Sequence, residues 1–250
     1  MASRRHATAD VGWTPRAVFR LTGLALLLAA YLVPHLLSKA LNKGRSPWPR
    51  RFLRAAASGF GADVRLTGAP IRGKTLLLAN HTSWLDILAL GGATGCAFVS
   101  KHEIGQVPLV GWLADQNHTL YIDRNDRRGS HGQVQRIADK LDGSQPITLF
   151  PEGTTSNGRP ILPFRSTLLA AVAPAPGDVS VRPVAIHYGQ ALGDVAWVGE
   201  PGLVNVRRVL GRKGRIPLTI QLLDPLPPGE DRKAMARDAH AAISAALASA

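Results

Sequence analysis

TLLLANHTSWLD, residues 75–86, opens as an unbroken apolar run and closes on a polar cluster that holds a histidine and an aspartate, His81 and Asp86. A short apolar run bounded by polar residues reads as a strand buried on both faces. Ser83 and Asp86 then stand at the spacing of a capping box for a helix that runs from Trp84. Such a strand, feeding directly into a helix, is the repeating unit of an α/β layer fold around a largely parallel sheet.

The pattern continues on both sides. Strands are expected at 63–68 (DVRLTG), 97–100 (AFVS), 119–123 (TLYID), 147–150 (ITLF), 181–186 (VRPVAI) and 218–223 (LTIQLL). Val134, Ile137, Ala138 and Leu141 recur at helical spacing, Ser166 to Val172 reads as a further helix, and a last helix runs from about Asp231 with Met235, Ala239, Ala242, Ile243 and Ala246 on one stripe. Several strands end abruptly in polar residues: Asn80-His81, Lys101-His102, Asp123-Arg124 and Pro151-Glu152-Gly153. In open α/β sheets the crevice outside the carboxyl ends of strands is where ligands bind, so chemistry is expected there.

The bulk composition narrows the partners. The chain has 250 residues, 45% of them apolar, enough for one sizeable core. Its 30 Lys and Arg against 17 Asp and Glu give a formal charge of +13, which favours an anionic partner. No zinc-finger spacing, ribonucleoprotein-type aromatic motif or basic helix with interleaved aromatics supports nucleic acid. Cys96 is the single cysteine, which excludes an internal disulfide, fits a reducing compartment and reads as a small core residue.

Residues 1–57 read as a membrane-anchoring segment with basic flanks, and 58–250 as the folded domain. Leu21 to Leu37 carries no charge and lies between Arg16 and Arg20 on one side and Lys39, Lys43 and Arg45 on the other. That length falls slightly short of a hydrocarbon core of roughly 30 Å, and cations on both flanks give no inside–outside asymmetry. A helix or bent hairpin dipped into one leaflet fits better than a span, and the expected place is the cytoplasmic face of the plasma membrane. A signal peptide is the rival, but no small-x-small cleavage site leads into a mature start. KGRSPWPRRFLR, 43–54, is either a solvated linker or an interfacial strap with Trp48 and Phe52 at headgroup depth.

His81 and Asp86 admit two readings. On a regular helix residues five apart point about 140° from each other, so the pair converges only if His81 lies in the loop and Asp86 in the first helical turn. There the carboxylate would fix the imidazole tautomer and support an imidazolium, which makes His81 a general base. Alternatively Asp86 merely caps the helix and His81 is a satisfied polar residue.

NHTSWLD resembles the first motif of the lysophospholipid acyltransferase family, whose members are similar to bacterial 1-acyl-glycerol-3-phosphate acyltransferases. LYIDRNDRRG (120–129) is similar to the second motif, FPEGTTSNG (150–158) to the third and VRPVAI (181–186) to the fourth, in the same order. SKHEIGQVPLVGW (100–112) also looks like the segment that follows the first motif. The resemblance implies an O-acyltransferase in which His81 is the base and Asp86 its support. It further implies that Arg124 binds the acceptor's phosphate or carboxylate, that Glu152 orients Arg124 or meets the acceptor's hydroxyls, and that Gly153, Thr154, Thr155 and Ser156 line the anion site. The acyl donor would be acyl-CoA or acyl-carrier protein, the acceptor a lysolipid among membrane lipids, and no cofactor or metal is expected. The lack of a G-x-S-x-G elbow agrees with direct transfer without an acyl-enzyme.

One position departs from the pattern. Many phosphate-accepting relatives have arginine where this chain has Thr155, although Arg165 could compensate in part. Lysophosphatidate remains the leading acceptor on the resemblance, with a lyso-ornithine lipid, whose headgroup is an amino acid, as the alternative. A non-catalytic lipid-binding protein is the reading from another class. Arg127 and Arg128 read as a solvated turn, His102, His118, His131 and His187 as polar residues without metal spacing, and Trp84 and Trp112 as walls of an acyl groove.

Overall fold

The computed structural model describes residues 12–42, 46–122, 139–140, 143, 145–169, 179–229 and 231–250. Seven strands form one sheet: β1 (Ala62–Thr67), β2 (Thr75–Ala79), β3 (Ala97–Lys101), β4 (Leu120–Ile122), β5 (Ile147–Leu149), β6 (Ser180–His187) and β7 (Ile216–Leu222). Their order is β1-β7-β6-β2-β5-β3-β4, with every neighbouring pair parallel except β6 and β7. β7 and its partner β1 therefore run against the rest of a largely parallel sheet.

β2 lies between β6 and β5, in register Leu76↔Val181 and Leu76↔Ile147. All five of its residues are buried, because both faces are covered. Side chains alternate across a strand, so one short run supplies two cores. Leu77 and Ala79 pack with Leu85, Ala89, Leu90 and Phe98 on one face. Leu76 and Leu78 pack with Leu149, Leu169, Met235 and Ala239 on the other. Burying each leucine contributes about 1.5–3 kcal/mol relative to exposure.

Helices cover these faces: α1 (Pro15–Leu41), α2 (Trp48–Gly59), α3 (Leu85–Thr94), α4 (His102–Gly105), α5 (Pro108–Gln116), α6 (Ser166–Leu169), α7 (Leu192–Val195), α8 (Gly202–Gly211) and α9 (Arg232–Ala248). The side chain of Asp231 caps α9 by accepting from Lys233 N at 2.8 Å. Its buried stripe is Met235, Ala239, Ile243 and Leu247, one residue per turn. The helical spacing at 134–141 falls almost wholly outside the described residues, as does the end of the helix expected from Ser166.

The N-terminal region differs from a linker or strap. Residues 48–59 are helical, and α2 crosses the division expected between residues 57 and 58. It turns back along α1, with Tyr31 edge-on to Trp48 and Phe52 at 5.6 and 6.0 Å. On its other side it packs closely on α3, burying Leu53, Ala56 and Ala57. Only glycine fits at Gly92, where a Cβ would come within 2.5 Å of the Arg54 backbone.

α1 is 27 residues with a mean hydropathy of 1.8 over its most apolar stretch, long and apolar enough to cross a membrane by length and composition. Both of its ends rest on the folded body. Arg20 Nη1 donates to the carbonyl oxygens of Leu210 and Arg212, at 3.1 and 3.2 Å, at the end of α8. His35 is buried, with Nδ1 2.9 Å from Ser46 Oγ and Nε2 3.0 Å from Gln116 Oε1. Leu21, Leu26 and Val33 stay exposed between these ties, as do Phe19, Leu36 and Leu37 just outside them.

Candidate active site

β2 and β5 are adjacent and parallel, so the segments that leave their carboxyl ends meet. His81 and Glu152 come together in this way from distant parts of the chain. The end of β2 is fixed first by Asn80, whose amide donates to Ile186 O at 2.9 Å and accepts from Ile186 N at 2.8 Å, a side-chain copy of a ladder rung.

His81 follows in a loop whose main chain is held at every polar group. Its N–H donates to Glu152 Oε1 at 2.6 Å, and its carbonyl accepts from Ser156 N at 2.9 Å. Thr82 N donates to Asp86 Oδ2 at 2.7 Å, and Thr82 O accepts from Trp197 N at 3.0 Å. The imidazole stacks on Phe150, with ring centroids 4.0 Å apart and planes at 17°.

Asp86, fully buried in the first turn of α3, brings its carboxylate back to the loop. Oδ2 receives His81 Nδ1 at 2.9 Å together with the amides of Thr82 and Ser83, the latter at 2.9 Å. Oδ1 receives the hydroxyl of Tyr188. One carboxylate therefore binds both the amides that lead into α3 and the imidazole. A carboxylate has no hydrogen to donate, so His81 Nδ1 carries the proton and the lone pair of the neutral ring is at Nε2. Nε2 has no partner among the described residues, and the side chain keeps 15% of its surface exposed. The ring is thus held in one tautomer with its second nitrogen unbonded among the described residues, an arrangement able to accept a proton.

Tyr188 is the participant that the sequence reading missed. It ends the segment that leaves β6, the other neighbour of β2, and lies fully buried. Burial, and then the charge of Asp86, push its phenol well above the usual range, so it remains a donor. Strand-end polarity was the signal available, one residue beyond the expected strand and its closing His187.

Glu152 is braced by the main chain among the described residues, and its expected partner Arg124 lies outside them. Glu152 is 1% exposed, and both oxygens are taken by backbone amides, His81 N and Leu162 N, the second at 2.9 Å. Burial raises its pKa, outweighing those bonds. It acts as a brace between the His81 loop and residue 162.

The rest of the third motif wraps around this brace. Gly153 is buried at φ 76°, Thr154 is exposed, and Thr155 Oγ1 donates to Trp197 O at 2.5 Å. Ser156 is buried against His81, with its hydroxyl accepting from Gly158 N at 3.2 Å. Arg124, with Arg127, Arg128 and His131, lies outside the described residues. Arg165 is exposed near this edge, its N–H on Pro151 O at 2.9 Å.

Trp84 packs into the body rather than lining a groove, edge-on to Phe60 and donating to Asn205 Oδ1 at 2.8 Å. Trp112 is partly exposed on α5. Cys96 is buried and its thiol is pushed up to about 11, which suits a core residue rather than a nucleophile. Among the described residues no group of three or more His, Cys, Asp or Glu side chains is placed to hold a metal.

Comparison with known proteins places this geometry in context. The family model described as Acyltransferase matches residues 63–187, which include both His81 and Tyr188's neighbour His187. A lyso-ornithine lipid O-acyltransferase of Pseudomonas aeruginosa is 36% identical over 236 residues, 91% of this chain and 89% of the relative. A 1-acyl-sn-glycerol-3-phosphate acyltransferase of Neisseria gonorrhoeae is 32% identical over 133 residues, 53% of this chain and 51% of the relative. The crystal structure of the 1-acyl-sn-glycerophosphate acyltransferase PlsC from Thermotoga maritima has the same fold, with a TM-score of 0.64 over 94% of this chain and 97% of that one at 19% identity.

Proposed function

Since the chain belongs to the acyltransferase family, we propose that it moves an acyl chain from an acyl thioester to the free hydroxyl of lyso-ornithine lipid. The observation that carries the acceptor is the extent of similarity: the lyso-ornithine relative matches 91% of this chain, against 53% for the glycerol-phosphate relative. The sequence reading put lysophosphatidate first, and the relatives favour the opposite order. Thr155 supports them, because position 155 itself carries no cation and its hydroxyl is spent on Trp197 O.

In this reading Nε2 of His81 takes the proton from the acceptor hydroxyl as that oxygen attacks the thioester carbonyl. Asp86 supports the imidazolium, and Tyr188 and Glu152 hold the pair in place. Collapse of the tetrahedral adduct breaks the carbon–sulfur bond, and the departing thiolate takes up the proton from His81. The donor is acyl-CoA or acyl-carrier protein. α1 lies in the plane of one leaflet, since its ends are tied to the body and its free face is apolar.

The test is transfer from labelled acyl-CoA and acyl-carrier protein to lyso-ornithine lipid and lysophosphatidate in parallel, with wild type and His81→Ala. Transfer to lyso-ornithine lipid that is lost in the variant is expected. Transfer only to lysophosphatidate overturns the acceptor, and transfer untouched by His81→Ala overturns the base.

A further inference from the structure

Trp197 lies beyond the segment that the family model matches, residues 63–187, yet its main chain touches two of the motifs around His81. Its N–H donates to Thr82 O at 3.0 Å in the first motif, and its carbonyl accepts from Thr155 Oγ1 at 2.5 Å in the third. Thr82 directly follows His81, and both of its main-chain groups are now fixed: the N–H by Asp86, the carbonyl by Trp197. Residues 196–201 are neither helix nor strand, so no ladder of their own holds this strap in shape.

The shape is set from α8. Asn205 and Arg208 stand three apart on that helix and so share a face. Asn205 is fully buried, and its Nδ2 donates to Ala196 O at 3.0 Å and to Glu200 Oε1 at 2.8 Å. Its Oδ1 accepts from Trp84 Nε1 at 2.8 Å, so the same carboxamide also holds the residue that closes the His81 loop. Arg208 Nη2 donates to Ala196 O at 3.1 Å and pairs with Glu200 Oε1, while Nη1 donates to Gly193 O at 3.0 Å. Trp197 Nε1 closes the turn on Glu200 O at 2.9 Å, with Gly199 at φ 66°.

Burying a carboxamide costs free energy unless each of its groups is bonded, and here each is. Val209 and Leu210 already supply apolar burial for α8. What Asn205 adds is direction: it joins Trp84 on one side of the His81 loop to the strap on the other.

We infer that Asn205, supported by Arg208, is a positioning residue for His81. It sets the strap, the strap fixes Thr82 and Thr155, and the loop between them aims Nε2 of the imidazole at the acceptor hydroxyl. The inference rests on the proposed role of His81 as base. Asn205 acts through Trp84 and Trp197, and a base moved out of hydrogen-bond reach loses rate while acceptor binding is kept.

The test pairs labelled acyl transfer with an NMR spectrum of the full chain in detergent micelles, labelled with heavy nitrogen in histidine. The Nδ1–H that Asp86 holds is identified by its absence in His81→Ala. Asn205→Asp keeps the volume and the acceptor for Trp84 Nε1 but removes the donors and sets a second carboxylate against Glu200. It is expected to lower kcat about 10²-fold with KM little changed, and to shift the Nδ1–H signal. Glu200→Gln added to Asn205→Asp exchanges donor and acceptor across the same bond and should recover most of the rate. Trp84→Phe removes only the indole donor, should lower kcat about ten-fold, and carries the test if Asn205→Asp does not fold.

A lower melting temperature with kcat and the Nδ1–H signal as in wild type, in both Asn205→Asp and Trp84→Phe, means that Asn205 serves only the fold and overturns the inference. A double variant no faster than Asn205→Asp overturns the strap as the route. The spectrum reads the imidazole without acyl transfer. Failure of the proposed base, seen as transfer that survives His81→Ala, is therefore told apart from failure of the strap, seen as an unmoved Nδ1–H.

Discussion

Tyr188 and His81 share the carboxylate of Asp86, the phenol on Oδ1 and the imidazole on Oδ2. The phenolic bond draws charge from the carboxylate and so limits how strongly Asp86 favours the imidazolium. Tyr188→Phe removes that bond and leaves Oδ1 without a donor. The acid limb of the pH–rate profile should move to higher pH while turnover falls, as measured by labelled acyl transfer. A limb that stays in place would reduce Tyr188 to packing.

His81 and Asp86 should separate in stability although both abolish transfer. His81→Ala removes a partly exposed ring and is expected to lower the rate by about 10²–10⁴ with little change in melting temperature. Asp86→Ala also strips the acceptor from two buried amides and a buried phenol. It should cost at least about 1–3 kcal/mol of stability, readable by thermal unfolding in detergent.

Glu152 links the fold to pH. Its pKa is raised in the folded state by burial, so its contribution is fully present below the usual glutamate value and is lost as pH rises through the raised one. Glu152→Gln removes the titration and loses one of the two amide bonds, since a carboxamide has a single acceptor oxygen. The melting-temperature gap between wild type and variant should therefore be widest in acid and narrow toward neutrality.

The free face of α1 is open to a direct test. Leu26→Glu with Leu37→Glu places two charges on exposed positions without disturbing buried contacts. Flotation with liposomes should fall while the melting temperature in detergent is unchanged. Loss of both together would mean that this face packs on protein.

Thr155→Arg tests acceptor choice. A cation added beside the third motif should raise transfer to lysophosphatidate relative to lyso-ornithine lipid, read as the ratio of kcat/KM for the two acceptors. An unmoved ratio would shift attention to the exposed Arg165.

All seven strands were legible in the sequence because each is a short apolar run with polar ends, and a run such as Leu76–Leu78 has no other stable use. The His81–Asp86 pair was legible through its motif, and the strand-end rule brought Glu152 to the same edge. What those residues touch was not. The bonds of Glu152 to Leu162 N and His81 N were not legible, because backbone amides leave no mark in a sequence. Tyr188 reaches Asp86 only because β6 lies beside β2, a pairing that periodicity along one strand does not encode. α2 was hidden by composition, since its prolines and arginines resemble a linker until Gly91 and Gly92 of α3 admit it.

The pairing of β1 with β7 also bears on how the chain is made. Ala62 lies opposite Ile216, and the carbonyl oxygens that receive Arg20 belong to residues around Leu210. α1 therefore leaves the ribosome long before either its seat or the strand that closes the sheet exists. During translation its apolar face has no protein surface at that end, and in the proposed in-plane seat of α1 a lipid bilayer would cover it. Delivery to the membrane would then precede completion of the fold, and the catalytic body would assemble already in place on its substrate's surface.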